Sequence, residues 1–196
     1  MRAVPDGMAG KVMSAAHLFV EHGLDGVTMS DIAETTGIPR ATLYYHFEGK
    51  EAVFAYLCTL VFDEFEEAIA DALGGTGSAA ERLGRVVRAQ LSFYAARPAA
   101  FLAVQLDLGR AARRAEINER AARAYLRPVA GLLKEGAADG SIRPVERPRA
   151  VAAGLLGAMT SAAVLLPLNE QSVAGLHETM MTLFLQGLGV PPVQAR

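Results

Sequence analysis

Apolar residues recur three and four positions apart along most of this chain, the spacing of one face of an α-helix, and no stretch alternates as a half-buried strand would. Lys11 to His22 put Val12, Ala15, Ala16 and Phe19 on one face, and Gly23 follows where a left-handed residue would end a helix. Thr28 and Asp31 form the Ser/Thr-x-x-Asp/Glu pattern of a capping box, so a second helix starts there, turns Ile32 and Ala33 inward and stops at Gly37-Ile38-Pro39. Arg40 to Phe47 resume helical spacing with Leu43 and Phe47. Two short helices joined by about three residues that include a glycine have the layout of a helix-turn-helix.

A longer helix is predicted from Lys50 to Leu73, with Phe54, Leu57, Val61, Phe65, Ala68 and Ala72 on one stripe and Gly74-Gly75 ending it. Ser78 and Glu81 repeat the capping pattern at the start of a helix through Ala96. Pro98, Pro128 and Pro148 punctuate the remainder of the chain, giving helices over 98–107, 114–137 with Pro128 kinking or splitting it, 148–166 and 172–188. Gly140 to Pro144 reads as a turn, and Pro191-Pro192 opens a tail expected to be mobile. The fold class expected is therefore all-α, with a three-helix head over 1–50, a helical body over 51–190 and the tail over 191–196.

Composition agrees with helices built from small and medium side chains: 52% of residues are hydrophobic, only 7% are aromatic, and there is no tryptophan. The one cysteine, Cys58, has no partner for an intramolecular disulfide and reads as a buried, inert thiol. With no basic-then-apolar run at the start, a reducing cytoplasmic setting is the expectation. The net charge of −2 does not announce a nucleic-acid partner, so any case for DNA must be local.

That local case lies in Gly37-Ile38-Pro39-Arg40-Ala41-Thr42-Leu43-Tyr44-Tyr45-His46-Phe47-Glu48-Gly49-Lys50-Glu51. This segment resembles the recognition-helix signature of the tetracycline-repressor (TetR) family, above all in Leu-Tyr-Tyr-His-Phe and the lysine after it. Ala15 to Gly23 and Gly26 to Ala33 resemble that family's first two helices, so the resemblance covers roughly residues 10–56. It implies that Arg40, Ala41 and Thr42 read base edges. It makes Tyr44, Tyr45, His46 and Lys50 phosphate-side contacts, and it brings Thr28, Met29 and Ser30 to the neighbouring backbone. The helical wheel supports this, because Leu43 and Phe47 face inward and leave Arg40, Ala41, Thr42, Tyr44, Tyr45 and His46 on the other faces. Arginine suits guanine edges, and small residues suit thymine methyls.

Two features depart from the family pattern. Pro39 stands where a Ser or Thr cap is common, although proline at the first helical position is allowed. The head is also acidic: Arg2, Lys11, Arg40 and Lys50 face Asp6, Glu21, Asp25, Asp31, Glu34 and Glu48. Binding must then rest on localised contacts and on two heads acting together, with steep loss at raised salt. Met1 to Gly10 lack the basic cluster that would enter a minor groove.

The resemblance further implies a helical body that binds a small molecule and dimerises through its last two long helices, here Arg149–Leu166 and Ser172–Leu188. Leu155, Met159, Ala162, Leu166, Met180, Leu183 and Phe184 are the interface candidates, with Gly154, Gly157, Ala158 and Ser161 allowing close approach. Ala150 to Leu168 run 19 residues without a charge, long enough for a membrane span. Their Ala, Gly, Ser and Thr content and Pro167 argue instead for a packed helix, so no membrane partner is expected. Phe62, Phe65, Tyr94, Phe101, Gln105, Tyr125 and Met159 are the effector-site candidates on inward stripes. Few inward charges accompany them, which favours an apolar or weakly polar effector. Arg110, Arg113 and Arg114 read as solvated surface.

Enzyme chemistry finds no foothold. There is no His-Glu-x-x-His, Cys-x-x-Cys, Gly-x-Ser-x-Gly or P-loop, and the 4 histidines are scattered, so no metal or cofactor is expected. Gly75-Thr76-Gly77-Ser78-Ala79-Ala80 matches a dinucleotide fingerprint only nominally, since a helix and not a strand precedes it. The expected function is a dimeric regulator, a repressor, that binds a pseudo-palindromic operator and is released by an effector. The alternative is a helical small-molecule or partner binder of the same fold that no longer binds DNA.

Overall fold

The computed structural model describes residues 4–107, 118–166 and 169–188. The expected tail over 191–196, the start of the helix expected from 114 and the arginines at 110, 113 and 114 lie outside the described residues. Among the described residues there is no strand. Those up to Glu64, with those from Arg97 to Asp107, form one compact unit. Those from Phe65 to Ala96, with those from 118 on, form the other.

The first unit opens with α1 (Asp6–Ser14) and α2 (Ala16–Gly26) where one helix was expected from Lys11. Pro5 precedes α1 in an extended conformation. Ala15 then interrupts the ladder with bonds of short register, its N–H donating to Val12 O at 3.0 Å and its own carbonyl accepting from Leu18 N–H at 3.1 Å. Gly23, at φ 66 and ψ 167, bends the chain inside α2 in a conformation open in practice to glycine alone. The bend returns Leu24 to the core.

The helix-turn-helix consists of α3 (Met29–Thr36) and α4 (Arg40–His46). Gly37 ends α3 in the left-handed conformation, and Pro39 sits one residue earlier than the expected first helical position, as the extended residue before α4. Its carbonyl accepts the first α4 bond, from Leu43 N–H at 3.0 Å. Val12, Phe19, Ile32, Leu43, Phe47, Val53, Phe54 and Leu57 are buried, with Phe19 and Phe54 rings 4.7 Å apart. Each such side chain contributes about 1.5–3 kcal/mol by leaving water. The unit takes in the first part of α5 (Lys50–Leu73) and α7 (Pro98–Asp107), which packs on α2, so it is larger than a three-helix head.

The second unit contains the rest of α5, α6 (Ala79–Ala96), a π-helical turn (Ala122–Leu126), α8 (Arg127–Asp139), α9 (Pro148–Leu165) and α10 (Glu170–Leu188). Pro128 lacks an N–H and its ring collides with the carbonyl four residues back, so the helix widens ahead of it rather than splitting. Arg127 N–H accordingly reaches back five residues to Ala122 O. At the start of α6 the expected capping box forms, with Ser78 N–H donating to Glu81 Oε2 at 2.8 Å and Glu81 N–H to Ser78 Oγ at 3.3 Å. The turn after α8 caps the same end, since Ala79 N–H donates to Asp139 Oδ2 at 3.0 Å and Ala80 N–H to Ser141 Oγ at 3.2 Å. Gly136 admits Ile142 so closely that a Cβ there would lie 2.7 Å from its side chain.

Candidate nucleic-acid interface and ligand site

Helix α3 is held at its start by a complete capping box. Thr28 N–H donates to Asp31 Oδ2 at 2.8 Å, Thr28 Oγ1 donates to the same oxygen at 2.8 Å, and Asp31 N–H donates to Thr28 Oγ1 at 3.3 Å. The Thr28 amide, then its hydroxyl, hold the Asp31 carboxyl below the usual carboxylate range. Thr28 and Ser30 are exposed beside this cap, while Met29 turns into the core.

On α4, Arg40, Ala41, Tyr44 and Tyr45 are exposed and Thr42 is half-buried, with Tyr44 at 49% and Tyr45 at 58% exposure despite their large rings. The Arg40 guanidinium carbon lies 5.5 Å from the Tyr44 ring centre, and Nη2 donates to Tyr44 OH at 3.5 Å. His46 differs from expectation. It shares the inward face with Leu43 and Phe47 at helical spacing, is 9% exposed, and its Nδ1 is buried without a hydrogen-bond partner. Lys50 is half-buried, and its ammonium donates to Asp25 O at 2.9 Å.

The effector-site candidates divide between the units: Phe62, Phe101 and Gln105 belong to the first, Phe65, Tyr94, Tyr125 and Met159 to the second. In the second unit Phe65, Tyr94, Tyr125 and Met159 are all buried. The Phe65 ring lies nearly parallel to Tyr94, with centres 6.1 Å apart, and to Tyr125 at 6.4 Å. Two polar side chains missing from the sequence-based set join them. Gln90 Nε2 donates to Tyr94 OH at 3.0 Å and to Leu156 O at 3.4 Å, and Tyr94 OH lies 3.1 Å from Thr160 Oγ1. Gln90 was legible as a lone polar residue on the stripe Leu83, Val87, Gln90, Tyr94; nothing marked Thr160. Burial raises the pKa of both tyrosines, so both phenols stay protonated. Among the described residues no group of three His, Cys, Asp or Glu side chains could hold a metal ion.

Two family profiles match the chain: bacterial regulatory proteins of the tetR family over residues 13–57, and the tetracyclin repressor-like C-terminal domain over residues 76–164. Together they span more than half of its length. The chain belongs to the TetR family of transcriptional regulators. TetR proteins are DNA-binding regulators and not enzymes. Among curated relatives, this TetR regulator is 39% identical over 56 residues to the biofilm operon icaADBC HTH-type negative transcriptional regulator IcaR of Staphylococcus aureus strain Newman. That match spans 29% of this chain and 30% of the relative's length. It is 24% identical over 179 residues to the fatty acid metabolism regulator protein of Bacillus subtilis strain 168, spanning 89% of this chain and 92% of that protein. The TetR family regulator PfmR of Thermus thermophilus has the same fold, with a TM-score of 0.79 at 21% identity over 92% of this chain and 99% of that one.

The last two TetR helices correct part of the interface set. Leu155 and Met159 share an inward stripe with Ala152 and are fully buried within their own chain, so they are not free to meet a partner. Ala162, Met180 and Phe184 are half-buried, and Leu166 and Leu183 are exposed. Val164 and Leu165 add to the exposed apolar residues, and Gly154 and Gly157 face open space. Among the described residues α9 is the one helix long and apolar enough to cross a membrane, at mean hydropathy 1.3 over 18 residues with 22% of them buried.

Proposed function

We propose that this TetR regulator is a dimeric repressor that binds a pseudo-palindromic operator and releases it when a small molecule occupies the second unit. The observation that carries this reading is the outward set Arg40, Ala41, Thr42, Tyr44 and Tyr45 on a helix fixed from below by Leu43, His46 and Phe47. Large aromatic rings are costly to leave in water unless they meet a partner, and a short helix bearing Arg, Thr and Tyr fits a major groove. In this reading Arg40, Ala41 and Thr42 read bases, and Tyr44, Tyr45 and Lys50 meet phosphates. Thr28, Ser30 and the Met29 backbone approach the adjacent strand. His46 positions the helix and makes no phosphate contact.

A second copy covers the exposed Val164, Leu165, Leu166 and Leu183, with Gly154 and Gly157 letting helices approach, as in a four-helix interface. Two-fold symmetry then sets two recognition helices about one DNA turn apart. Phe65, Tyr94, Tyr125 and Met159 line the effector site. Helix α5, whose residues belong to both units, is the lever by which occupancy reaches the head. The name of the Staphylococcus aureus relative, a negative regulator, favours repression. Such a protein acts in the cytoplasm, where its operator is.

The test is selection of bound fragments from random DNA, then titration of wild type and Tyr44→Ala on the selected site at two salt concentrations. Enrichment of one inverted repeat, with binding lost in the variant, is the expected result. No enrichment at either salt would favour a helical small-molecule binder that has lost DNA binding, the reading to which the acidic head lends weight.

A further inference from the structure

Among the described residues of the second unit, two side-chain polar atoms are buried without a partner: Gln90 Oε1 and Tyr125 OH. Both side chains have no exposed surface. An unsatisfied buried polar atom destabilises the fold, so two beside one aromatic cluster call for an explanation.

The orientation of Gln90 is fixed by its neighbours. Leu156 O only accepts, so the nitrogen must face it, and the amide oxygen is left as a free acceptor. Because Tyr94 OH accepts from Gln90, its own proton goes to Thr160 Oγ1. These bonds run through neutral groups. The Tyr125 phenol, whose ring lies nearly parallel to the same Phe65 ring as Tyr94, can either donate or accept. The residue itself sits in the π-helical turn Ala122–Leu126. One extra residue in a turn rotates the helix before it by roughly 100° relative to the helix after it, and such turns recur at functional sites.

We infer that Gln90 and Tyr125 form the polar end of the effector site and take a neutral hydroxyl carried on an otherwise apolar molecule. The inference rests on reading the second unit as the effector domain. A hydroxyl donates its proton to Gln90 Oε1 and offers its oxygen to Tyr125, whereas a carboxylate has no proton for the amide oxygen and is repelled by it. A plain hydrocarbon leaves both atoms unpaired. Phe65, whose ring lies against both tyrosines, supplies the apolar wall.

The test uses the full chain and three carbon-matched sets: cyclohexanol, 1-octanol and 2-naphthol, each beside its carboxylate and its unsubstituted counterpart. Binding is read by calorimetry and by thermal shift. At least one alcohol should bind about tenfold more tightly than its carboxylate and hydrocarbon partners, a difference of about 1.4 kcal/mol. Tyr125→Phe and Gln90→Leu should each weaken that alcohol by about the same factor. Tyr125→Phe should also leave the Tm of the free protein unchanged or raised, because it removes an unsatisfied hydroxyl. Carboxylates or hydrocarbons binding as well as alcohols, no alcohol binding, or alcohol affinity unchanged in Tyr125→Phe would each overturn the inference. So would a lowered Tm in Tyr125→Phe, which would assign the phenol to a structural water. Titration of DNA in the presence of the alcohol reads the regulator separately: alcohol binding with no DNA binding defeats the proposed function and leaves this site standing.

Discussion

The ammonium of Lys50 donates to the backbone carbonyl of Asp25 at 2.9 Å, tying the start of α5 to the end of α2. Lysine has three protons to give, so the same group can hold the head together and still reach a phosphate. Lys50→Met is expected to lower head stability by about 1 kcal/mol. It should also reduce the slope of log affinity against log salt by about 0.9. Thermal melts and titrations over a salt series check the two effects separately; an unchanged slope would make Lys50 purely structural.

Arg40 leans on Tyr44, and that contact holds an exposed guanidinium in place before DNA arrives. Replacing Arg40 by Ala should cost about 1–3 kcal/mol at one base pair of each half-site and little on non-cognate DNA. Competition binding with single-base operator variants reads this. A uniform loss across all sequences would reassign Arg40 to the phosphates.

Acid should loosen both capped helix starts. Asp31 and Glu81 are held below the ordinary carboxylate range by the amide and hydroxyl of Thr28 and Ser78 respectively. Asp139 is held low by the Ser141 side chain first and by the Ala79 and Ser141 amides after it. Because the folded values are depressed, their contribution is complete above the unfolded value near 4 and is lost as pH falls through the lower folded values. Tm should therefore be flat from neutral pH down to about pH 5 and fall below it as these groups protonate. Asp31→Asn should show a shallower decline than wild type when melts are compared across that range.

Gly136 has no room for a methyl group, since Ile142 occupies the place its Cβ would take, 2.7 Å away. Gly136→Ala should destabilise the second unit by about 1–3 kcal/mol through overpacking, against the usual gain of alanine in a helix. Adding Ile142→Val should recover part of the loss in denaturant titration.

Leu183, at 61% exposure, and Leu165, at 78%, are large apolar side chains left in water by the single chain. Leu183→Glu should convert the proposed dimer to monomer in analytical ultracentrifugation and remove operator binding, while Tm of the monomer changes little. A variant that stays dimeric would move the interface elsewhere.

Local chemistry made much of this molecule readable in advance. Thr28 with Asp31 and Ser78 with Glu81 act within one turn, and the glycine at 37 and proline at 98 bound elements through their own backbones, so those elements lie where expected. His46 was misread despite a visible signal, because positions 43, 46 and 47 share one helical face. The same holds for Leu155 and Met159, whose stripe continues from Ala152. Other features depend on partners distant in sequence. The break at Ala15 is a choice between nearly equal ladders that packing settles. The pairing of Gln90 with Thr160 joins α6 to α9 and left no local trace.

Helix α6 begins on oxygen atoms supplied by Asp139 and Ser141, some sixty positions later. The Ser78–Glu81 box can start that helix locally, but its first two amides gain their protein acceptors only once the far turn has returned, and the entropy of closing so long a loop must be met at that moment. The second unit is therefore expected to resist dissection: a fragment cut before residue 139 keeps α6 and its own capping box but lacks the acceptors for the Ala79 and Ala80 amides.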